Sequence, residues 1–565
     1  MKILVLSTAF SGLTQRVVRE LVCLGHVLEE HYGMDEDLLR EQIAGFRPDL
    51  ILCPFLTQRI PDDIWQNTLC LIVHPGIEGD RGPSSLDWSI AEGEPEWGVT
   101  LLQADAEMDA GDIWGTATFP MRMAGKTSIY KREVTAAAVK LIKQALNDFT
   151  NTQFKPRPLV YDNPTVKGRC RDMMRQSDRC INWRTDSTET ILNKINAADS
   201  TPGIKDEIGG HEVYLFGARE ARDIKGKPGE VVAIQHGAIC RATKNGAVWI
   251  RQLKCKDHPD LAPIKLAAAQ VCSKILPSKV LEAIKHSGEH IESRDIRIVR
   301  HDDAAYIYFD FYNGAANTQQ CIDLKNQLVT LKSSDVKTLV FMGGEDFWSN
   351  GIHLNCIEGS DDPALESWQN INAIDDLVLE IINTPNQITV AALRNNAGAG
   401  GAIMALACDQ VFVRAGAVVN PHYGTMGLYG SEYWTYLLPR RVGREEANRI
   451  AEACQPMLAV EALQIGFADM LFPEDWHAYH ERLQDYCASL SERTDLSQLL
   501  LAKSERRDRD EKIKPLVEYR KEELTHMRKS FYNPASEYHQ ARRRFVYKEK
   551  APKAKVSIDK KVGAA

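Results

Sequence analysis

The stretch that decides the reading is Leu71-Ile72-Val73-His74-Pro75-Gly76-Ile77, continued by Asp80-Arg81-Gly82-Pro83-Ser84-Ser85-Leu86-Asp87-Trp88. An apolar run ends in a histidine and a His-Pro turn, which reads as a β-strand whose last residue is chemically active. Around it, short apolar segments (2–7, 50–54, 69–73 and 99–103) alternate with helical ones such as 15–24. Strands separated by helices imply a doubly wound parallel sheet, in which ligands bind beyond the carboxyl ends of the strands. His74 stands at such an end. Downstream, Gly98-Val99-Thr100-Leu101-Leu102 forms a further strand, and Met108-Asp109-Ala110-Gly111-Asp112-Ile113 brings a carboxylate to the next turn. A histidine and an aspartate at neighbouring strand ends suit acyl transfer: one group moves a proton, the other orients it, and the tetrahedral oxyanion needs a donor.

The order of these segments resembles the folate-dependent formyltransferases, across residues 1–255. The resemblance carries the His-Pro…Arg-Gly…Trp stretch, the Gly-Val-Thr strand, the Asp-x-Gly-Asp-Ile turn and a downstream barrel opening at Ile181-Asn182-Trp183. It implies N10-formyl-tetrahydrofolate as formyl donor, with His74 and Asp109 in the family's catalytic positions. The family's Asn two residues before the histidine is Ile72 here, so that position loses a side-chain donor. Arg132 is expected to reach a glutamyl carboxylate of the folate.

From Asp178 to Lys254 the pattern changes to short segments punctuated by glycine, read as a small OB-like β-barrel after a helix over 187–198. It lacks a sustained basic run interleaved with aromatics, so a spacer is expected rather than an RNA-binding surface. A helical connector (261–294) follows, and strand–helix alternation then resumes. Here Ser349-Asn350-Gly351-Ile352-His353-Leu354 precedes Asn396-Ala397-Gly398-Ala399-Gly400-Gly401-Ala402 and a helix. Small residues where a strand meets a helix let backbone N–H groups approach an anionic oxygen.

The stretch 297–490 resembles the crotonase, or enoyl-CoA hydratase/isomerase, superfamily. The resemblance implies coenzyme A or its thioester as ligand. Ile352 and Gly400 would supply the oxyanion amides, flanked by Gly351 and Ala399. Both hydratase glutamates are missing, with Ile403 and His422 in their places. Tyr423, Tyr429 and Glu432 are expected to gather at the thioester instead, a glutamate among aromatics having a raised pKa.

The whole chain, in this order and with these departures, resembles a family of hydrogenase maturation factors. That resemblance implies formyl transfer from folate to CoA, then loss of carbon monoxide from formyl-CoA to supply a nickel–iron hydrogenase. Other maturation proteins are the possible partners it brings. Two alternatives stay open: a formyl-CoA synthase or hydrolase that releases no carbon monoxide, and a degenerate CoA-binding scaffold.

Bulk properties bound these readings. The 565 residues require several domains, expected at 1–165, 166–260, 261–294, 295–490 and 491–565. A net charge of −8 argues against general nucleic-acid binding, although residues 501–565 are basic, with 19 Lys+Arg against 10 Asp+Glu. Thirteen cysteines with no C-x-x-C pair suggest reduced thiols and no metal site. With no apolar run long enough to span a bilayer and no cleavage site after MKILVLSTAF, a cytoplasmic protein is expected.

Overall fold

The computed structural model describes residues 1–284 and 293–549; the end of the connector (285–292) and the Lys/Ala-rich end (550–565) lie outside the described residues. The first sheet contains β1 (Lys2–Ser7), β2 (Val27–Tyr32), β3 (Leu50–Cys53), β4 (Cys70–His74), β5 (Glu96–Gln103) and β6 (Ile113–Pro120), in the order β2-β1-β3-β4-β5-β6. The first four strands are parallel. Successive residues of β1 face opposite layers, since Ile3 and Val5 pack with helices 12–23 and 135–150, and Leu4 and Leu6 with helix 36–46. Burial on both faces is why the run is continuously apolar.

The sheet is mixed, which modifies the all-parallel expectation. After β4, the chain turns through helix 85–92, closed by Gly93 in the left-handed region (φ 70°), and returns antiparallel as β5, pairing His74 with Thr100. β6 then pairs antiparallel with β5. Strand β2 was not expected from the sequence because Val-Leu-Glu-Glu-His-Tyr is half-exposed at the sheet edge.

The second sheet is antiparallel, with β7 (Ile204–Ile208), β8 (His211–Ala221), β9 (Val231–Gln235), β10 (Ala238–Ala242), β11 (Ala247–Cys255) and β12 (Leu266–Ala267). Its order is β7-β8-β11-β10-β9, with β12 on β11. Helices 268–275 and 278–284 form the described connector.

The third region contains β13 (Ile296–His301), β14 (Ala304–Phe309), β15 (Thr338–Gly343), β16 (Ile388–Leu393), β17 (Ala397–Gly398), β18 (Gln410–Arg414), β19 (Val418–Asn420), β20 (Met457–Leu458) and β21 (Met470–Phe472). Its main sheet runs β13-β14-β15-β16-β18-β21, parallel from β14 onward, and β17-β19-β20 form a small second sheet. Helices 496–513, 516–532 and 537–547 complete the fold. The last two are part of this domain's core rather than a separate tail: Leu516, Leu524, Met527, Phe531 and Tyr538 join its apolar cluster. No described helix is long and apolar enough to cross a membrane.

Candidate active sites

His74 closes β4 and is 4% exposed. Its turn is held from three sides. Ser85 Oγ and Trp97 Nε1 donate to the Pro75 carbonyl (2.8 and 3.0 Å), and Thr100 Oγ1 donates to that of Gly76 (2.9 Å). A side chain at Gly76 would place a carbon 2.4 Å from His74 Nε2 and 2.6 Å from Asp80 Oδ2, so only glycine fits. His74 lies between two carboxylates: Nε2 is 3.1 Å from Asp80 Oδ2, and Nδ1 is 3.5 Å from Asp109 Oδ2. Asp109 takes a left-handed conformation (φ 57°), accessible to Asp at modest cost, and accepts from the Gly82 amide at 3.3 Å. Burial opposes the charged imidazolium. The hydrogen bond with Asp80, followed by the charges of Asp109 and Asp80, outweighs it and holds the His74 pKa above the ordinary value. Such a histidine is suited to giving a proton to a leaving amine.

His74, Asp109 and Ile72 line one cavity of about 740 Å³. Its wall comes from all three regions: Lys126 and Lys131 from the first, Asp199 to Thr201 from the second, and Asp346, Asn396, Arg414 and Val418 from the third. Ile72 presents an apolar face there. Arg132 is absent from this lining, contrary to the expectation. Its guanidinium stacks 3.5 Å from the Trp476 ring centroid and lies 4.0 Å from Glu345, so it ties the first region to the third. Burial, then the neighbouring Arg122 charge, pulls its pKa down to about 10. On the π-helical turn 130–134 it is Lys131 that reaches the cavity, its ammonium 3.6 Å over Phe347.

The second site lies where Gly351 meets the start of helix 399–405. Gly351 has φ 76°, and a carbon on it would stand 3.2 Å from the Gly400 nitrogen. Ala316 bridges to Ile352 and Ser349 to Ala397, fixing both turns side by side. Ala399, with φ 45°, turns the chain into the helix. Glu432 closes this corner. A methyl on Gly400 would fall 1.9 Å from Glu432 Oε1. Glu432 is 1% exposed, and its Oε2 accepts from Tyr423 Oη at 2.7 Å and Ser431 Oγ at 2.9 Å.

Glu432 and Tyr433 are consecutive left-handed residues (φ 58° and 59°), a strained arrangement. Two buried carboxylates hold it. Asp375 Oδ1, on helix 363–382, accepts from the Glu432 amide at 2.9 Å. Glu523, on helix 516–532, accepts from the Tyr433 and Thr435 amides, each at 2.9 Å. Burial raises the pKa of Glu432, against the pull of the Tyr423 and Ser431 hydrogen bonds. Burial and then the Glu432 charge raise that of Asp375. The negative charge of Glu432 thus works against ionisation of Asp375.

Tyr429 is not in this cluster. It is 40% exposed and stacks on His526 with ring centroids 4.2 Å apart. The chain reverses at Gly430 (φ 96°), whose Cα faces the Tyr423 ring, and this turns Tyr429 outward. Sequence reasoning also missed Asp80, Asp375, Ser431 and Glu523. Asp80 was legible, six residues after His74 in the quoted loop. Asp375 and Glu523 come from helices 57 and 90 residues away from the amides they hold, and carry no local signal.

The geometry is that of a formyltransferase head joined to a crotonase-like body. The formyl transferase family matches residues 18–146, its C-terminal domain family 173–267, and the enoyl-CoA hydratase/isomerase family 312–553. The chain is 44% identical over 561 residues to the hydrogenase maturation factor HoxX of Bradyrhizobium diazoefficiens, covering 99% of this chain and 96% of that one. It matches the methionyl-tRNA formyltransferase of Syntrophus aciditrophicus at 24% identity, over 40% of this chain and 72% of that one. Among solved structures, HypX from Aquifex aeolicus in complex with tetrahydrofolic acid aligns with TM-score 0.91 and 40% identity, covering 98% of this chain and 97% of that one. The chain belongs to the HypX/HoxX family of hydrogenase maturation factors.

Proposed function

We propose that this protein transfers the formyl group of N10-formyl-tetrahydrofolate to coenzyme A and then releases carbon monoxide from formyl-CoA for nickel–iron hydrogenase assembly. In the first step the CoA sulfur bonds to the formyl carbon and the C–N bond to folate breaks. His74, whose hold on a proton Asp80 and Asp109 strengthen, gives the departing nitrogen its proton and takes up the thiol proton. Lys126, Lys131 and Arg414 line the same cavity and suit polyanionic substrates. With Ile72 in place of an amide side chain, the oxyanion must rely on His74 or a backbone donor.

In the second step Glu432 accepts the formyl C–H proton while the C–S bond breaks, and Tyr423 protonates the departing sulfur. Tyr423 recovers its proton from Glu432, so the products balance as carbon monoxide and CoA. The Ile352 and Gly400 amides position the thioester. The observation that carries this reading is that the Glu432 carboxylate fills the space a methyl on Gly400 would take, beside one of those amides. Asp375 and Glu523 are positioning residues.

Glu432→Gln keeps the shape but accepts no proton. The variant is expected to consume formyl-tetrahydrofolate and CoA normally, and to accumulate formyl-CoA while headspace carbon monoxide, read with a haem reporter, falls about a hundredfold or more. Carbon monoxide at the normal rate would overturn the assignment. Accumulation of formyl-CoA by the unmodified protein would favour the synthase reading.

A further inference from the structure

Away from both sites, the end of the barrel ladder gathers side chains that neither reaction uses. β8 and β11 pair antiparallel with Val213 opposite Cys255, so that His211 and Asp257 face each other just beyond the ladder. Asp257 Oδ1 is 3.4 Å from His211 Nδ1 and 3.3 Å from Cys255 Sγ. All three ligand-type atoms lie within 4.8 Å of one another. Tetrahedral coordination at metal–ligand distances of about 2.0–2.3 Å requires ligand–ligand separations of about 3.3–3.8 Å, which two of these contacts already meet.

The local backbone favours the same chemistry. Asp257 Oδ2 accepts from the Glu212 amide at 3.0 Å, which aims Oδ1 at the other two groups, as outer-shell bonds do for metal ligands. His258 packs its ring 5.1 Å from that of His211. Cys255 is 1% exposed, whereas the His211 and Asp257 side chains keep 31% and 46% of their exposure, leaving a side open to solvent.

We propose that His211, Cys255 and Asp257 bind one borderline-soft divalent transition metal of the Zn²⁺ and Co²⁺ class, with a solvent-facing fourth position. Imidazole and thiolate select against Mg²⁺ and Ca²⁺, which prefer oxygen. Binding displaces the thiol proton to solvent. Such a site would clamp the ends of β8 and β11 to the following loop. The sequence concealed it because His211 precedes Cys255 by 44 residues, and no C-x-x-C pair marks it.

The test uses the full-length chain, stripped with chelator and titrated with Co²⁺ alone. One Co²⁺ per chain is expected, with a thiolate-to-cobalt charge-transfer band and visible bands of tetrahedral intensity that Zn²⁺ bleaches. Cys255→Ser should abolish the charge-transfer band. His211→Ala should weaken binding by more than the about 10–100-fold that losing an outer-shell partner costs, with the far-ultraviolet circular dichroism unchanged. No band in the unmodified chain, or a band that survives both substitutions, would refute the site. Should Cys255→Ser fail to fold, His211→Ala decides.

Discussion

At the scale of single residues, the first site depends on two carboxylates acting on one imidazole. His74→Ala or Asp109→Asn is expected to lower formyl-tetrahydrofolate consumption about a hundredfold or more. Asp80 makes a finer prediction. Because it helps hold the His74 pKa above the ordinary 6.5, activity that needs the imidazolium persists to higher pH and is lost as pH rises through the raised value. Asp80→Asn should therefore move the basic limb of the kcat/KM profile to lower pH; an unmoved limb would remove Asp80 from the mechanism. At the second site, Gly400→Ala should act on carbon monoxide release alone, since its methyl would overlap the Glu432 carboxylate. His74, Asp109, Gly400, Glu432 and Tyr423 were all nominated from the sequence, and all adjoin a turn or strand end with small residues. Arg132 was nominated from its place on a predicted helix, and Tyr429 from the aromatic segment around Glu432 that replaces the crotonase glycines. Such placement does not say which side of a π-turn or of a left-handed glycine a side chain takes.

At the scale of elements, helix 516–532 has a specific task. Removing the Glu523 carboxylate leaves the Tyr433 and Thr435 amides without an acceptor, at about 1–3 kcal/mol for each buried donor left unsatisfied. The strained Glu432–Tyr433 pair should then relax. Glu523→Ala is expected to abolish carbon monoxide release while formyl transfer continues, and Glu523→Gln, which retains an accepting oxygen, should restore part of it. Equal activity of the two variants would reduce Glu523 to packing. The α/β architecture was legible because β1, β3, β4 and β15 are continuous apolar runs. The antiparallel turn into β5 was not, since an apolar strand reads the same in either direction. The charged helices read as a tail because their exposed faces dominate the composition, while the few apolar residues that dock them are widely spaced.

At the scale of the whole molecule, the barrel and the crotonase-like region are joined by Arg219 and Arg251, which both pair with Asp310. Asp310→Ala leaves two largely buried guanidinium groups without that partner, at a cost on the order of 3 kcal/mol. Calorimetry should show a lower first transition and separation of the two regions' unfolding; an unchanged single transition would count against the junction. The placement of Glu523 also imposes an order on biosynthesis. It is translated 91 residues after Glu432, so a nascent chain already carries every folate-site side chain before its second catalytic loop can be locked. On the proposed scheme, a ribosome that stalls in that interval, or a protease that clips helix 516–532, would yield a protein that charges CoA with formyl groups and cannot discharge them. In a cell, such damage would appear as consumption of one-carbon units without mature hydrogenase, rather than as simple loss of the enzyme.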